Sequence, residues 1–436
     1  MRLKTFLGWA VILLLSFTPA FLWFFLGPGA EELTSFSSIT HSLGELTALV
    51  GMTMFALTFM LSTRIRFIED VFDGLDKVYV AHGILGGTAF ILILFHPILL
   101  VLKFIPENFK QAAIYLLPSS HWSVNFGIIA IIGFIILISL TLFSKIKYDD
   151  WKFSHEFLGL VFIFAVLHTF LVRGDASRDL IFKGYYAYAG IVSTIGIFGF
   201  SYSLLIKDRL FKAAKYKIVS IKKRNEATYE IQMAPEHKPI SYKSGQFVFV
   251  RFYNERLSEE AHPFSIASKS NNPVIKLIIK RLGDFTGELL NLKVGDYVSL
   301  EGPYGRFNYE DNDNDQVWVC GGIGVTPFIG MAEDLLFNHR KNRVDFFYSC
   351  KESSDFVCLD ELREIEQKTS NFRLIPWQSS VKGHLKVQDI IKISGSLKNK
   401  DFYLCGPSRL KKSIIKGLIS FGVPKNRIHA EEFEFR

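Results

Sequence analysis

The stretch Ala81–Pro97, AHGILGGTAFILILFHP, is an apolar helical segment with a histidine near each end, His82 and His96. An imidazole in hydrocarbon is costly unless its nitrogens are occupied, so two of them in one such segment require partners. Fourteen residues of helix set them about 21 Å apart along the axis, roughly two-thirds of a bilayer core. That is too far for one metal ion. It suits two stacked redox centres, provided that another helix supplies a second pair.

The chain of 436 residues changes character near Lys207. Before it, apolar runs predict six spans, at about 5–27, 43–62, 78–104, 124–144, 154–172 and 185–206. Beyond it the charge density rises and the apolar runs shorten, as in a soluble half. The first run has the charged flank of a signal peptide but continues past the possible Thr18–Ala20 processing site, so a retained span is expected. Arg2, Lys4, Arg64, Arg66, Lys77, Lys145, Lys147, Lys152, Lys207 and Arg209 fall on one side of these spans. The other side has fewer basic residues, Lys103, Lys110, Arg173, Arg178 and Lys183, which predicts that both termini and the soluble half are cytoplasmic. This bias, with contact to anionic lipid, accounts for the net charge of +8; no basic run interleaves with aromatics, which argues against nucleic acid. The four cysteines have no CxxC spacing, which argues against a disulfide framework or a zinc site.

On that topology the third and fifth spans run the same way, and the fifth carries His155 at its inner end and His168 at its outer end. His82 can pair with His155 and His96 with His168, each pair filling both axial positions of a haem iron. A lone intramembrane histidine is more often a helix-packing hydrogen bonder; four at matched depths are harder to explain that way. A spacing of thirteen residues turns His168 away from the face of His155 on an ideal helix, so a distortion of the fifth span is expected. Gly83, Gly86 and Gly87 either give a macrocycle room or serve helix packing. Arg173 can meet a propionate or an anionic acceptor, or simply snorkel, while His41 and His121 are expected bystanders.

In the soluble half, YKIVSIKK, ATYEIQM, GQFVFVRF, VIKLIIKRL and DYVSL alternate as the strands of an antiparallel barrel. Within it, HPFSIAS (His262–Ser268) offers an aromatic and a hydroxyl to an isoalloxazine ring. LGDFTGELL (Leu282–Leu290) offers Gly283 and Thr286 at a helix start suited to a pyrophosphate. NYEDNDND is expected to be a solvated hinge. GGIGVTPF (Gly321–Phe328) follows an apolar strand and precedes a helix, the arrangement that brings a dinucleotide phosphate to backbone N–H groups. VDFFYSCKE and DFYLCGP are expected to be buried parallel strands of a doubly wound sheet. Ser349 and Lys351 either meet a ribose or its 2′-phosphate or form a plain strand end. Cys405 with Gly406 either lies where a nicotinamide reaches a flavin or is a buried core cysteine. Of the terminal aromatics, Phe433 rather than Phe435 is expected to dock on the flavin face.

Taken together, six spans with two histidine pairs followed by HPFSIAS, LGDFT, GGIGVTP, YSCK and CGP resemble the ferric reductase and NADPH oxidase superfamily, particularly its compact bacterial members. The resemblance covers nearly the whole chain. It implies a six-span α-helical membrane domain (1–209), an antiparallel β-barrel FAD domain (210–310) and an α/β doubly wound nicotinamide-binding domain (311–436). It implies that His82, His96, His155 and His168 ligate two b-type haems. It further implies that His262, Pro263, Phe264 and Ser265, with Gly283 and Thr286, bind FAD. Gly322, Gly324, Thr326, Pro327, Gly406 and Pro407 would bind NADPH or NADH, with Cys405 and Phe433 at the flavin. The expected activity carries electrons from cytosolic NAD(P)H across a bacterial plasma membrane to oxygen, giving superoxide, or alternatively to a ferric or cupric chelate or a partner protein. A haem-free anchored flavin reductase is a rival. A proton-relay transporter is disfavoured, because the third and fifth spans carry no Asp or Glu apart from Glu156.

Overall fold

The computed structural model describes residues 3–26, 33–105, 107–143, 146, 148–172, 180–206, 214–257, 260–311, 313–338 and 342–431. Phe433, Phe435, Arg173 and Arg178 lie outside these. The chain divides into two compact units, Leu3–Leu210 and Phe211–Arg436.

The first unit is helical: α1 (Leu3–Leu26), α2 (Phe36–Leu61), α3 (Arg66–Phe72), α4 (Leu75–Leu102), α5 (Phe109–Ile114), α6 (Trp122–Phe143), α7 (Tyr148–Glu156), α8 (Leu158–Leu171) and α9 (Leu180–Ser201). Among the described residues, six stretches are long and apolar enough to cross a membrane, Lys4–Phe25, Phe36–Leu61, Leu75–Leu102, Trp122–Phe143, Asp150–Leu171 and Tyr186–Leu205. The second begins seven residues earlier than expected because Ser35 and Ser38 close a capping box there. His41 therefore lies inside α2, 3.7 Å from the Glu45 carboxylate one turn on. The fifth span is two helices that meet at Phe157, between His155 and His168. This is the distortion that the spacing of thirteen required.

Lipid offers no hydrophobic drive for helix association, so close packing must supply it. Gly44 and Gly51 do this between α2 and α4: a Cβ on Gly44 would stand 3.0 Å from Leu100, and one on Gly51 2.9 Å from Ile93. At the other end of α2, Gly199 of α9 lies against the backbone of Phe59, where a Cβ would be 2.8 Å from a carbonyl carbon.

The second unit holds two sheets. The barrel strands are β1 (Ala214–Lys223), β2 (Thr228–Pro235), β3 (Phe247–Tyr253), β4 (His262–Ser265), β5 (Ile275–Lys280) and β6 (Tyr297–Tyr304), in the antiparallel order β4-β3-β6-β1-β2-β5. Alternate residues such as Tyr216, Ile218, Val248, Val250, Leu277 and Leu300 turn inward to form its core. A short helix, α10 (Asp284–Glu288), follows β5.

The second sheet, β7 (Asp315–Gly321), β8 (Val344–Cys350), β9 (Phe372–Gln378), β10 (Lys400–Cys405) and β11 (Ile428–Ala430), is parallel throughout, in the order β11-β10-β7-β8-β9. Helices α11 (Thr326–Leu335), α12 (Leu359–Lys368), α13 (Val387–Ser394) and α14 (Ser408–Ser420) cover it. Trp318 and Cys320 of β7 pack into the core on one face, and Val317 and Val319 into that on the other. Burial on both sides is why QVWVC is continuously apolar.

The segment NYEDNDND is exposed at Asp313 and Asp315, as expected of a solvated hinge, but not at its start. Asn308 and Tyr309 are buried, and the Tyr309 ring meets Trp318 edge-on at 5.7 Å. The barrel and the parallel sheet are also tied by charge. Arg224 bonds both Glu230 of β2 and Glu361 of α12, while Lys276 of β5 bonds Glu333 of α11. Cys358 lies among these carboxylates, but Arg224 and Lys276 already pair with them, so the cluster has the character of an ionic tie.

Candidate functional site

The four intramembrane histidines form two facing pairs. His82 of α4 and His155 of α7 have ring centres 6.2 Å apart, at the end of the bundle where α9 finishes. His96 of α4 and His168 of α8 have ring centres 6.4 Å apart, at the opposite end. A metal–imidazole bond is about 2 Å and a ring adds roughly 1 Å from nitrogen to centre, so two imidazoles sharing one ion have centres roughly 6 Å apart.

The other ring nitrogens fix the tautomers. His82 Nδ1 donates to the Thr58 carbonyl at 2.9 Å, His96 Nδ1 to the Gly44 carbonyl at 2.8 Å, and His168 Nδ1 to the Ser123 carbonyl at 2.7 Å. A carbonyl can only accept, so Nδ1 carries the proton and Nε2 keeps its lone pair. His155 Nδ1 lies 3.2 Å from the Thr141 hydroxyl. That hydroxyl donates to the Leu137 carbonyl at 2.9 Å, which leaves its oxygen to accept from His155. Orienting bonds of this kind on the far nitrogen are the habit of metal-binding histidines.

The glycines of α4 near them leave room for a large planar group. A Cβ added to Gly83 or Gly87 would meet nothing within 4 Å, so these two glycines open onto a gap rather than packing against a helix. Gly86 stands 3.7 Å from Thr58 by the same measure. Gly127 of α6 passes so close to His168 that a Cβ would be 2.7 Å from Nδ1. Gly44, Thr58, Ser123, Gly127 and Thr141 escaped the sequence reading. Three of them act through main-chain carbonyls, which leave no mark on residue type. His121 is exposed at the start of α6, apart from both pairs.

In the barrel, His262–Ser265 form the edge strand β4, paired with β3 through Val250–His262, Phe249–Pro263, Val248–Phe264 and Phe247–Ser265. The His262 ring stacks on Phe285 of α10, with centres 3.6 Å apart. HPFS and LGDFT are therefore one site. The expected helix N-terminus is only five residues long, and its Thr286 hydroxyl already accepts the amides of Leu282 at 2.9 Å and Gly283 at 3.1 Å. Gly283 itself faces open space, as does Gly287.

In the parallel sheet, strand order reverses between β7 and β10, so the crevice at their carboxyl ends is the topological switch point where such sheets bind ligands. The GGIG and CGP turns meet there. A Cβ on Gly324 would stand 2.6 Å from the Cys405 carbonyl oxygen, and one on Gly406 2.7 Å from the Gly321 amide nitrogen. Gly322 adopts φ +54° and faces open space. Thr326 and Pro327 begin α11. Ser349 lies beside Gly321 in register, with Lys351 exposed just past the strand end. The Cys405 side chain is buried in the core, and its backbone carbonyl meets the GGIG turn at the crevice.

Residues 47–166 match the family described as ferric reductase like transmembrane component. Residues 212–308 match an FAD-binding domain and 318–416 an oxidoreductase NAD-binding domain. The three matches together are consistent with the ferric reductase and NADPH oxidase superfamily. The chain thus combines a multi-pass membrane module with the flavin and nicotinamide domains of an oxidoreductase. A flavohemoprotein of Vibrio cholerae serotype O1 is 26% identical over 208 residues, covering 44% of this chain and 52% of that protein. The reductase component of propane 2-monooxygenase from Rhodococcus jostii is 24% identical over 283 residues, covering 61% and 72%. The chain spans about half the length of the flavohemoproteins it matches, 52% for those of Vibrio cholerae and Dictyostelium discoideum. A solved flavohemoglobin from Malassezia yamatoensis, with bound FAD and heme, shares the fold at a TM-score of 0.52 and 18% identity, over 92% of this chain and 99% of that one.

Proposed function

We propose that the protein carries electrons from cytosolic NAD(P)H, by way of FAD and two b-type haems, across a bacterial plasma membrane to oxygen, yielding superoxide. The observation that carries this reading is the pair of imidazole gaps, 6.2 and 6.4 Å between ring centres, each with its Nδ1 protons committed elsewhere. When bound, the nicotinamide supplies a hydride, the flavin divides it into single electrons, and the haem irons relay them.

The chain's own residues bind and orient. His82 with His155, and His96 with His168, present two Nε2 lone pairs to each metal. A haem held by two such imidazoles would pass electrons on rather than bind the acceptor. In domain terms, 1–209 holds the haems, 210–310 the FAD and 311–436 the nicotinamide nucleotide. His262, Pro263, Phe264 and Ser265 with Gly283 and Thr286 seat the FAD. Gly322, Gly324, Thr326, Pro327, Ser349, Lys351, Gly406 and Pro407 seat the nicotinamide nucleotide, and Phe433 covers the flavin face.

A second reading, delivery to a ferric or cupric chelate, is favoured by an open cavity of about 720 Å³ where α2 begins and α4 ends, beyond the His96 pair. Its lining includes Ser35, Ser38, His41, Lys103, Glu107 and Asn108. It is far larger than a diatomic molecule needs and lies within the ~300–1,000 Å³ usual for small-molecule sites.

The deciding experiment gives purified protein NADPH or NADH, with oxygen or a ferric chelate in turn, alongside a superoxide-specific probe. Reduced b-type absorption bands and superoxide-dependent signal are expected. Flavin oxidation without haem bands would remove the reading, and chelate reduction without superoxide would select the second one.

A further inference from the structure

Helix α11 runs from the GGIG turn of the parallel sheet onto the barrel. Thr326 and Pro327 form its first turn, directly after the glycines. Midway along, Gly330 lies against the segment that leaves β4, where a Cβ would stand 2.6 Å from the Ser268 carbonyl oxygen. The last turn carries two carboxylates, Glu333 and Asp334. The macrodipole disfavours anions at that end of a helix, so their place there calls for a tertiary reason.

Asp334 supplies it. The residue is 3% exposed, and its carboxylate accepts three bonds, all from the barrel. Oδ1 takes the Ser270 amide at 3.0 Å, and Oδ2 takes the hydroxyl of Ser270 at 2.7 Å together with that of Ser244. The two serines are themselves joined, because the Ser244 amide donates to the Ser270 hydroxyl oxygen at 2.9 Å. Phe247 pairs with Ser265, so Ser244 and Ser270 lie just beyond one end of the β3–β4 pair that carries HPFS. The turn has no slack on its other side: Gly245, at φ +90°, leaves no room for a Cβ against the Phe307 carbonyl. Glu333 adds a second contact, accepting the Lys269 amide at 3.2 Å and pairing with Lys276, but it is partly exposed. A carboxylate taken out of water needs its donors in place, so α11 cannot slide on the barrel without stripping Asp334. Eight residues, about 12 Å of helix, separate this grip from Thr326.

We propose that Asp334 is a positioning residue for hydride transfer: by holding Ser244 and Ser270 it fixes the distance and angle at which α11 presents the nicotinamide turn to the flavin strand. The proposal rests on the nicotinamide-to-FAD part of the function proposed above. In that step a nicotinamide C4–H bond breaks, a flavin N5–H bond forms, and the electron pair travels with the hydrogen. Asp334 exchanges neither proton nor electron and acts through geometry alone.

The test compares full-length wild type, Asp334→Ala, Asp334→Asn, Ser270→Ala and the double alanine variant, in detergent and without oxygen. FAD content, the Kd for NAD+ or NADP+, the charge-transfer absorbance of reduced flavin with the oxidised nucleotide, and the rate of flavin reduction are read. A displacement of about 1 Å costs about 100-fold in a transfer step, so Asp334→Ala should slow reduction by roughly 10- to 100-fold. The charge-transfer band should fall with the rate, while FAD content and Kd hold. Asp334→Asn keeps an acceptor for the Ser270 amide and should recover most of both. Ser270→Ala removes one hydroxyl and carries the test should Asp334→Ala fail to fold; it should slow reduction by less. Joined to Asp334→Ala it should add little, because both act through one contact. The proposal is overturned if folded, FAD-loaded alanine variants keep the wild-type rate and band, if rate falls only in proportion to lost FAD, or if the two effects multiply as independent sites do. Wild-type protein that holds FAD but is reduced by neither NADH nor NADPH would refute the functional reading itself, and the proposal with it.

Discussion

The histidine pairs of the helical bundle and the glycine turns of the parallel sheet are built from opposite parts of the chain. In the bundle, side chains present the binding atoms and the backbone aims them: the carbonyls of Thr58, Gly44 and Ser123 each hold an imidazole by its Nδ1 proton. In the sheet, the backbone itself lines the crevice, and it can do so only because side chains are missing at Gly324 and Gly406. The difference teaches where each site is vulnerable. The bundle fails when a ligand is removed, and the sheet fails when an atom is added.

The largest effect should come from the bundle. His168→Ala is expected to abolish reduction of the outer acceptor and one set of haem bands, while NAD(P)H still reduces the flavin, as stopped-flow spectra would report. If both steps fell together, the separation of the two regions would be wrong. Next, Gly324→Ala forces a Cβ to within 2.6 Å of the Cys405 carbonyl unless the turns separate. A shift of about 1 Å can cost about 100-fold in a transfer step, so flavin reduction by NAD(P)H should fall by about that factor with the haem bands unchanged.

A smaller effect sharpens the comparison within the bundle. His155 alone is held by a hydroxyl, that of Thr141. Thr141→Val should weaken haem retention at that level by about tenfold, the low end for loss of an orienting partner, as read by haem loss to apomyoglobin. The smallest effect is none. Burial pushes the Cys358 thiol up to about 12 and Cys350 up to about 11, and both are therefore protonated thiols at neutral pH. Native protein should resist alkylation at pH 7.5 and keep its NAD(P)H-driven activity. Rapid loss of activity on alkylation would mean that the ionic tie around Cys358 opens in solution.

Much of this organisation was legible in the chain. Histidines at matched depths announced two levels, strand alternation announced the barrel, and QVWVC before GGIG announced a buried parallel strand ahead of a glycine turn. Where the reading fell short, the cause was local. Ser35 and Ser38 lengthened α2 by a capping box, and Asn308 and Tyr309 drew the start of a polar segment into the core. Residue type likewise did not announce that the Thr286 hydroxyl accepts the amides of Leu282 and Gly283.

The sequence by itself determined which side chains can bind and how far apart along the chain they stand, because residue type and helical or strand period are written in it. Only the tertiary structure decided which main-chain carbonyls aim the imidazoles, that the two glycine turns touch, and that His262 lies on Phe285. Those facts depend on the approach of segments distant in the chain, and backbone carbonyls and empty glycine positions carry no signature of what will come to face them.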